Sequence, residues 1–165
     1  ERKYLEFFSE VLSRFKERKP GVTERRARPR HLLRIPTGHG SRIHFEWLFV
    51  GRKRKVLKVG LHLERREEEF NERVLEILRA QEDELEREIG EELKFERLGS
   101  KWRAVHAERL VGILDRALDE EVKRWAVDAM VKFYEVFKES GRLDEAVERA
   151  RRELEGRDRG PPPAD

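Results

Sequence analysis

The sequence predicts an α+β fold in which helices cover a mostly antiparallel sheet of about five strands and the C-terminus is helical. Apolar and polar residues alternate along two neighbouring segments that a short basic turn separates, which is the pattern of a β-hairpin. Apolar residues also recur at helical spacing before, between and after the strand segments. The length of 165 residues is typical of one domain.

Three main helices are predicted, and a glycine follows each of them. Their ranges are residues 2–19 before Pro20-Gly21, residues 66–89 before Gly90, and a block from about residue 119 before Ser140-Gly141. The apolar stripe of the third helix includes Trp125 and Phe133 and is wide enough to need a buried partner surface. We expect that partner to be the apolar face of the sheet.

The central hairpin is predicted over residues 42–50 and 55–64, whose apolar side chains lie at odd-numbered positions from Ile43 onward. Pairing the two apolar faces places Trp47 opposite Val59 or Leu57, because a slip of one residue would oppose an apolar side chain to a charged one. The register of this hairpin is therefore narrowly constrained.

Three shorter strands complete the predicted sheet. One covers residues 31–35, and two, over residues 93–98 and 101–108, flank a two-residue turn at Gly99-Ser100. This turn places Glu96 opposite Arg103 as an ion pair. The order of elements resembles that of restriction-endonuclease-like folds, a likeness of fold that carries no chemistry by itself.

We expect a single α+β domain over residues 1–139. A weaker helix over residues 140–155 has few large side chains to bury, so we expect it to lie at the periphery and to contribute little to the core. Residues 156–165 include three successive prolines and are expected to form a disordered tail.

The composition excludes several classes of protein. A chain without cysteine has no disulfide framework, no Cys-ligated zinc site and no thiol nucleophile. No segment approaches the roughly 20 apolar residues of a membrane span, and the N-terminus lacks an apolar signal core, so we expect a cytoplasmic protein. The single Asn, Gln and Met, with Arg in excess of Lys, indicate a heat-adapted source.

Charge is distributed unevenly along the chain. Residues 1–66 hold 19 Lys and Arg against seven Asp and Glu, a net charge of +12, whereas residues 67–165 hold 19 against 28, a net charge of −9. The basic half is suited to a polyanion or an acidic partner, or else it neutralises the acidic helices of the same chain. The predicted nucleic-acid-binding residues are Arg25, Arg26, Arg28, Arg30, Arg34, Arg52, Lys53, Arg54 and Lys55.

The even-numbered face of the central hairpin carries ionisable residues: His44, Glu46, Lys58, His62 and Glu64. A metal-dependent nuclease needs two acidic groups that hold Mg²⁺ and a lysine near the scissile phosphate, which makes Glu46, Lys58 and Glu64 the catalytic candidates. The strands contain no [Asp/Glu]-x-Lys triplet, however, and the first acidic ligand is missing. We therefore favour a polar face with a Glu46–Lys58 cross-strand ion pair.

No metal site is predicted from the five histidines, because the sequence contains neither a His-x-x-x-His pair nor a dense cluster. No other cofactor is predicted, and Mg²⁺ is expected only if the chain is a nuclease.

Several segments resemble one family. They are the aromatic-rich first helix (Tyr4-Leu5-Glu6-Phe7-Phe8), the strand Lys58-Val59-Gly60-Leu61-His62-Leu63, Phe70 with the run from Glu84 to Leu93, and Trp125 with the run from Met130 to Phe137. Over roughly residues 4–138 the chain is similar to the bacterial and archaeal domain of unknown function 4268. The resemblance implies a place at the C-terminal end of a larger parent protein, often behind a nuclease-like domain, and an association with genome defence and mobile elements. It transfers no catalytic residue.

We expect a non-catalytic nucleic-acid-associated module of a prokaryotic defence or mobile-element system, which binds the phosphate backbone through its Arg-rich N-terminal half. The first alternative is a protein-interaction or dimerisation module, in which the oppositely charged halves of two copies meet. The second alternative is a metal-dependent nuclease of the restriction-endonuclease-like fold.

Overall fold

The computed structural model describes residues 2–158 and residue 164, and it confirms the predicted α+β architecture. The elements in chain order are helix α1 (Arg2–Arg18), strands β1 (Leu32–Pro36), β2 (Ile43–Val50) and β3 (Lys55–Leu63), helices α2 (Glu68–Arg79) and α3 (Glu82–Ile89), strands β4 (Lys94–Leu98) and β5 (Trp102–Gly112), a 3₁₀ helix (Leu114–Leu118), helix α4 (Glu120–Phe133), a π-helical segment (Tyr134–Glu139) and helix α5 (Arg142–Asp158). Among the described residues, no helix has the length and apolar character that a membrane crossing requires.

The five strands form one antiparallel sheet in the order β1-β2-β3-β5-β4. Of the two predicted partners of Trp47, the structure has Val59, which confirms that the odd-numbered residues of β2 and β3 share one face. Strand β5, which comes much later in the chain, places Ala107 opposite Val59 and extends this apolar face. The core therefore lies on the odd-numbered side of the sheet.

Helices α1 and α4 cover the apolar face around Trp47. The Trp47 ring is fully buried, and its centroid lies 6.3 Å from that of Phe8 and 5.9 Å from that of Phe15, both in α1. Its Nε1 donates a hydrogen bond to the carbonyl of Ala126 in α4 (2.9 Å). Trp47 therefore joins the sheet to both helices.

The expected burial of the α4 stripe is confirmed for Phe133 but wrong for Trp125. Phe133 is fully buried in the core, whereas Trp125 is half-buried and packs against the core only in part. The Trp125 indole donates a hydrogen bond to Glu91, just after α3 (3.2 Å), which keeps its polar edge near the surface.

The predicted long helix over residues 66–89 is instead two helices, α2 and α3. The break falls at Gln81, whose backbone (φ −107°, ψ 20°) is not helical. Gln81 is the polar residue that interrupts the apolar stripe, and the break lets Leu85 and Ile89 enter the core while Gln81 stays partly exposed.

The second hairpin is shifted by one residue from its predicted register. Its loop has three residues rather than two, with Gly99 at φ 60°, so Glu96 pairs with Ala104. Arg103 lies on the other face and binds two glutamates of α2. The predicted Glu96–Arg103 ion pair is therefore wrong.

Helix α5 belongs to the core, so the expectation that it contributes little is wrong. Leu143, Ala146 and Ala150 are fully buried, and the helix packs against α2. The small alanines allow a close helix–helix approach, which the search for large apolar residues did not count. Residues 156–158 continue α5, and the rest of the predicted tail, apart from residue 164, lies outside the described residues.

Candidate functional site

The even-numbered face of the sheet gathers ionisable residues from four segments. We call them the His–Glu cluster: His44 and Glu46 of β2, His62 of β3, Glu64 just after β3, Glu96 of β4 and His106 of β5. All are buried except Glu96, which is half-buried. The registers place His44 opposite His62, and they place Gly60 between Glu46 and His106.

Gly60 provides the space that the cluster occupies. A Cβ atom at this position would lie 2.2 Å from Cδ2 of His106 and 2.9 Å from the carbonyl oxygen of Val105. No side chain fits there without a shift of its neighbours, because real Cβ contacts are longer. The glycine therefore lets the His106 ring lie over the centre of β3.

His106 lies at the β4–β5 side of the cluster. Its Nδ1 donates a hydrogen bond to Glu96 Oε2 (2.8 Å). Burial, and then the nearby charge of His62, lower the pKa of His106 to about 4, so the ring is neutral near pH 7. The unprotonated Nε2 of His106 therefore accepts a hydrogen bond from Nε2 of His62 (2.8 Å).

His62 stands at the centre of the cluster. Besides the bond from its Nε2 to His106, its Nδ1 donates to Glu64 Oε2 (3.0 Å). His62 therefore bridges His106 and Glu64. Glu46 Oε2 lies 3.6 Å from His62 Nε2, which brings a second carboxylate to the same ring.

Glu46 is a buried carboxylate that Arg34 and two histidines surround. Its Oε1 accepts hydrogen bonds from Arg34 Nε (3.2 Å) and His44 Nε2 (3.2 Å). Burial alone would raise the pKa of Glu46, but the hydrogen bond from His44 and the charge of His62 outweigh it and hold the pKa below its usual value. His44 is fixed in turn by a hydrogen bond from its Nδ1 to the Ser41 carbonyl (3.0 Å).

The three catalytic candidates from the sequence lie on this face, but only two of them approach the same side chain. Glu46 and Glu64 both approach His62, at 3.6 and 3.0 Å. Lys58 is paired with Glu96 at 3.7 Å. The predicted Glu46–Lys58 pair is wrong, because the β2–β3 register places Gly60 opposite Glu46 and Leu48 opposite Lys58.

A cavity of about 640 Å³, which we call the cluster cavity, opens over this face. Its lining includes the polar residues Arg34, Glu46, His62 and Glu64 and the apolar residues Leu32, Leu48, Leu98 and Trp102. The buried Asn71 holds the β4–β5 loop at one wall, because its Nδ2 donates to the carbonyls of Lys101 (3.0 Å) and Arg65 (2.8 Å). The cavity therefore combines an ionisable floor with apolar walls.

A second concavity lies beside β1. This arginine-lined cavity, of about 390 Å³, is formed by Glu24, Arg25, Arg26, Arg28, Arg30, Leu32, Leu33 and Arg34. Leu32 and Arg34 line both cavities, so the two are adjacent. Arg34 links them, since its guanidinium group also binds Glu46 of the His–Glu cluster.

The segment that carries these arginines is held by its own contacts. The buried Thr23 accepts a hydrogen bond from the Arg25 amide through Oγ1 (3.1 Å), and Lys16 Nζ donates to the Arg25 carbonyl (2.6 Å). Val22 and Ala27 pack in part against the core. The arginine side chains therefore project from an ordered backbone.

The basic turn, residues 52–55, lies at the same end of the sheet as this segment. The amide of Phe49, near the end of β2, donates a hydrogen bond to the carbonyl of His31, just before β1 (2.9 Å). Arg52, Lys53 and Arg54 are exposed. Eight of the nine basic residues singled out in the sequence thus lie on β1, on the segment before it, or on the adjoining turn, and Lys55 is the first residue of β3.

Sequence reasoning missed Glu96 and His106 as members of the cluster. The alternation of the central hairpin already placed His44, Glu46 and His62 on one face. The position of His106 depends on the β3–β5 pairing, which joins residues about 46 positions apart at Gly60–His106 and has no local signal.

Comparison with known proteins gives a single family. The sequence model of the family described as Domain of unknown function (DUF4268) matches residues 3–140. The chain belongs to this family. The matched region of this DUF4268 domain includes both cavities and ends just before α5. No curated protein and no solved structure matches the chain, so the likeness to restriction-endonuclease-like folds stays a prediction.

Proposed function

We propose that this DUF4268 domain binds the phosphate backbone of a nucleic acid through the arginine-lined cavity and the basic turn. The proposal rests on one observation: Arg25, Arg26, Arg28 and Arg30 line one cavity, and none of them has an ion-pair partner among the described side chains of residues 2–157. A guanidinium group offers two parallel N–H donors that match the oxygens of a phosphate. Several such groups in one concave surface favour a polyanion over a single small anion.

The alternative that the basic half only neutralises the acidic helices explains α1 but not this segment. Arg14 of α1 binds Glu120 of α4 (2.7 Å), and Lys19 just after α1 binds Glu135 (3.1 Å). Lys3, Arg14 and Arg18 of the helix are therefore already paired within the chain. Among the cations of the arginine-lined cavity, Arg34 binds Glu46, whereas Arg25, Arg26, Arg28 and Arg30 keep their charge available for a partner.

The arrangement favours recognition of the backbone rather than of the bases. No aromatic side chain is among the residues that line the arginine-lined cavity, so bases have no stacking platform there. Trp102, which is 43% exposed, lines the cluster cavity instead. Contacts that reach only phosphates position a nucleic acid without reading its sequence.

Fluorescence anisotropy with labelled duplex and single-stranded DNA and RNA tests the proposal. We expect a Kd of about 1–100 µM near physiological salt, the usual range of non-specific binding. If the four unpaired arginines each neutralise one phosphate, the slope of log K against log salt concentration is about −3.6 on duplex DNA. The double variant Arg26→Gln/Arg28→Gln should reduce this slope by roughly two.

A matched control has the same change of charge elsewhere on the surface. Arg79 and Arg87 are exposed and have no ion-pair partner among the described residues, so Arg79→Gln/Arg87→Gln removes two equivalent charges from the α2–α3 region. This control should leave the slope within error of the parent. Equal losses in both double variants, or no salt-sensitive binding at all, would overturn the proposal.

Reversal of charge in the basic turn tests how much this turn contributes to nucleic-acid binding. Arg52→Glu/Arg54→Glu should weaken binding further than Arg26→Gln/Arg28→Gln, because it adds repulsion to the loss of two contacts. Binding that the reversal leaves unchanged would confine the interface to the arginine-lined cavity.

Self-association is the second candidate function, because Leu110 and Ile113 near the end of β5 are 52% and 58% exposed. Light scattering tests for self-association before the anisotropy assay. Measured at low and high salt, it also identifies the kind of dimer, since a charge-driven dimer weakens with salt and an apolar one does not. The association with genome defence or mobile elements, which the family resemblance implies, stays a prediction and makes duplex DNA the first probe.

A further inference from the structure

We propose that His44, Glu46 and His62 bind a divalent first-row transition-metal ion of the Zn²⁺ class at the floor of the cluster cavity. The inference does not depend on nucleic-acid binding, because it concerns different side chains. One ligand atom from each of the three residues lies within 4.8 Å of the other two.

The distances between these atoms agree with a tetrahedral site. Metal–ligand bonds of about 2.0–2.1 Å place two ligands of a tetrahedral Zn²⁺ ion about 3.4 Å apart. His44 Nε2 lies 3.2 Å from Glu46 Oε1, and His62 Nε2 lies 3.6 Å from Glu46 Oε2, so the two imidazoles approach different oxygens of one carboxylate, which must turn or bind through both oxygens. Small side-chain shifts therefore suffice to bring the donors around one ion.

In His44 and His62 the nitrogen that would not bind the metal, Nδ1, makes the kind of hydrogen bond that is usual in metal sites. His44 Nδ1 donates to the Ser41 carbonyl (3.0 Å), and His62 Nδ1 donates to the Glu64 carboxylate (3.0 Å). Ligating histidines usually donate their other N–H to a carbonyl or carboxylate, which fixes the ring and makes the ligating nitrogen more basic. In both rings Nε2 faces Glu46, and at His62 the metal would replace the Nε2 proton and its hydrogen bond to His106 Nε2 (2.8 Å). Glu64 is thus a positioning residue for His62.

The donor set indicates the kind of metal. Two imidazoles with one carboxylate suit Zn²⁺, Co²⁺ and related ions, whereas Mg²⁺ prefers an octahedral shell of oxygen atoms. The Mg²⁺ that a nuclease function would require is therefore a poor match for these three residues. The two carboxylates that approach His62 also reduce the electrostatic cost of a dication at this point.

The site has the ligand count of an accessible centre rather than a closed structural one. Closed structural zinc sites supply four protein ligands, whereas catalytic sites supply three and keep one position open. Glu46 and His62 line the cluster cavity, so solvent or a small ligand reaches the floor from that side. Arg34, which binds Glu46 and lines both cavities, places a cation beside this opening.

Isothermal titration of the chelator-treated full chain with Zn²⁺ and with Co²⁺ tests the proposal, and Mg²⁺ serves as the control ion. We expect one saturable site for Zn²⁺ and Co²⁺, visible absorption bands for bound Co²⁺, and no competition from equal concentrations of Mg²⁺. At 100 times the Kd, Zn²⁺ should raise the melting temperature by about 5–10 °C. Absence of saturable binding, or equal affinity for Mg²⁺, would contradict the assignment.

Variants assign the ligands. His44→Gln, Glu46→Gln and His62→Gln should each weaken Zn²⁺ binding by more than about 100-fold, and Glu64→Gln by roughly 10- to 100-fold, as expected for a residue that orients a ligand. The matched control is His31→Gln, because His31 is exposed and outside the cluster. Losses no larger in the cluster variants than in His31→Gln would overturn the proposal.

A measurement on the unmodified chain covers the case in which a cluster variant fails to fold. Nitrogen-15 NMR of the imidazole rings follows all five histidines during a Zn²⁺ titration. The ring nitrogens of His44 and His62 should shift together at one equivalent, while those of His31 stay unchanged. Shifts confined to His31 or His39 would place the metal on the surface and refute the site.

Discussion

The two faces of the sheet come from the same five strands, yet they bury opposite kinds of side chain. On the odd-numbered face Trp47 is enclosed by rings of α1 and by α4, and its one polar atom donates a hydrogen bond to the Ala126 carbonyl. One residue away, Glu46 is buried by nearly the same amount among charged and imidazole partners. A buried charge costs free energy unless it is paired. Burial on the apolar face therefore stabilises the fold, whereas burial of charged groups on the polar face costs free energy that their pairing must offset.

The largest effect is expected from Trp47→Ala on the apolar face. The ring is fully buried and contacts two helices, so its removal should lower the free energy of unfolding by about 3–5 kcal/mol. Urea denaturation followed by circular dichroism measures this change.

Trp102→Ala is the matched control for that measurement, because Trp102 lies on the even-numbered face and is 43% exposed. Its effect should stay within about 0.5 kcal/mol, as for most surface substitutions. Similar losses of unfolding free energy from the two tryptophan variants would show that the two faces contribute equally to stability, contrary to this prediction.

The second prediction extends the apolar side to α5. Leu143 is fully buried against the core, so Leu143→Ala should cost about 2–5 kcal/mol in the same assay. Leu154, near the other end of the helix, is only partly buried, and Leu154→Ala should cost clearly less. An equal, small effect of both variants would show that α5 contributes little to the stability of the core, as expected from its sequence.

The predictable part of the fold is the part that local pattern determines. Alternation in β2 and β3 limited the partner of Trp47 to Val59 or Leu57, and the structure has Val59. Turn length was not determined in the same way, because the residues Gly99-Ser100 suit a two-residue or a three-residue loop. That single extra residue moved Glu96 from Arg103 to the side of His106.

The two candidate sites also differ in how far the local sequence predicts them. The arginines of the segment before β1 are close in sequence, so their convergence on one cavity follows from a short stretch of chain. The His–Glu cluster needs three separate strand pairings, and the sequence placed only the β2–β3 part on one face. Its metal-ligand geometry was not predicted, because the distances among His44, Glu46 and His62 depend on side-chain orientations that alternation does not specify.

The third prediction concerns the space that Gly60 leaves on the polar face. In Gly60→Ala the new methyl group would overlap the His106 ring, at 2.2 Å, and crowd the Val105 carbonyl, at 2.9 Å. The ring must move, and the hydrogen bond between His62 and His106 must lengthen from 2.8 Å. We expect a loss of about 1–3 kcal/mol, the usual range for overpacking, and altered nitrogen-15 shifts of both rings.

Two further variants separate the loss of this space from a general effect of the added methyl group. Gly156→Ala in α5 adds the same group where no atom lies within 4 Å, so it should be neutral or stabilise the helix by up to about 1 kcal/mol. In a double-mutant cycle, Gly60→Ala should cost less in a His106→Ala background than in the parent, since the ring it strikes is gone. Additive costs would show that Gly60 is required for a reason other than the space it leaves for the His106 ring.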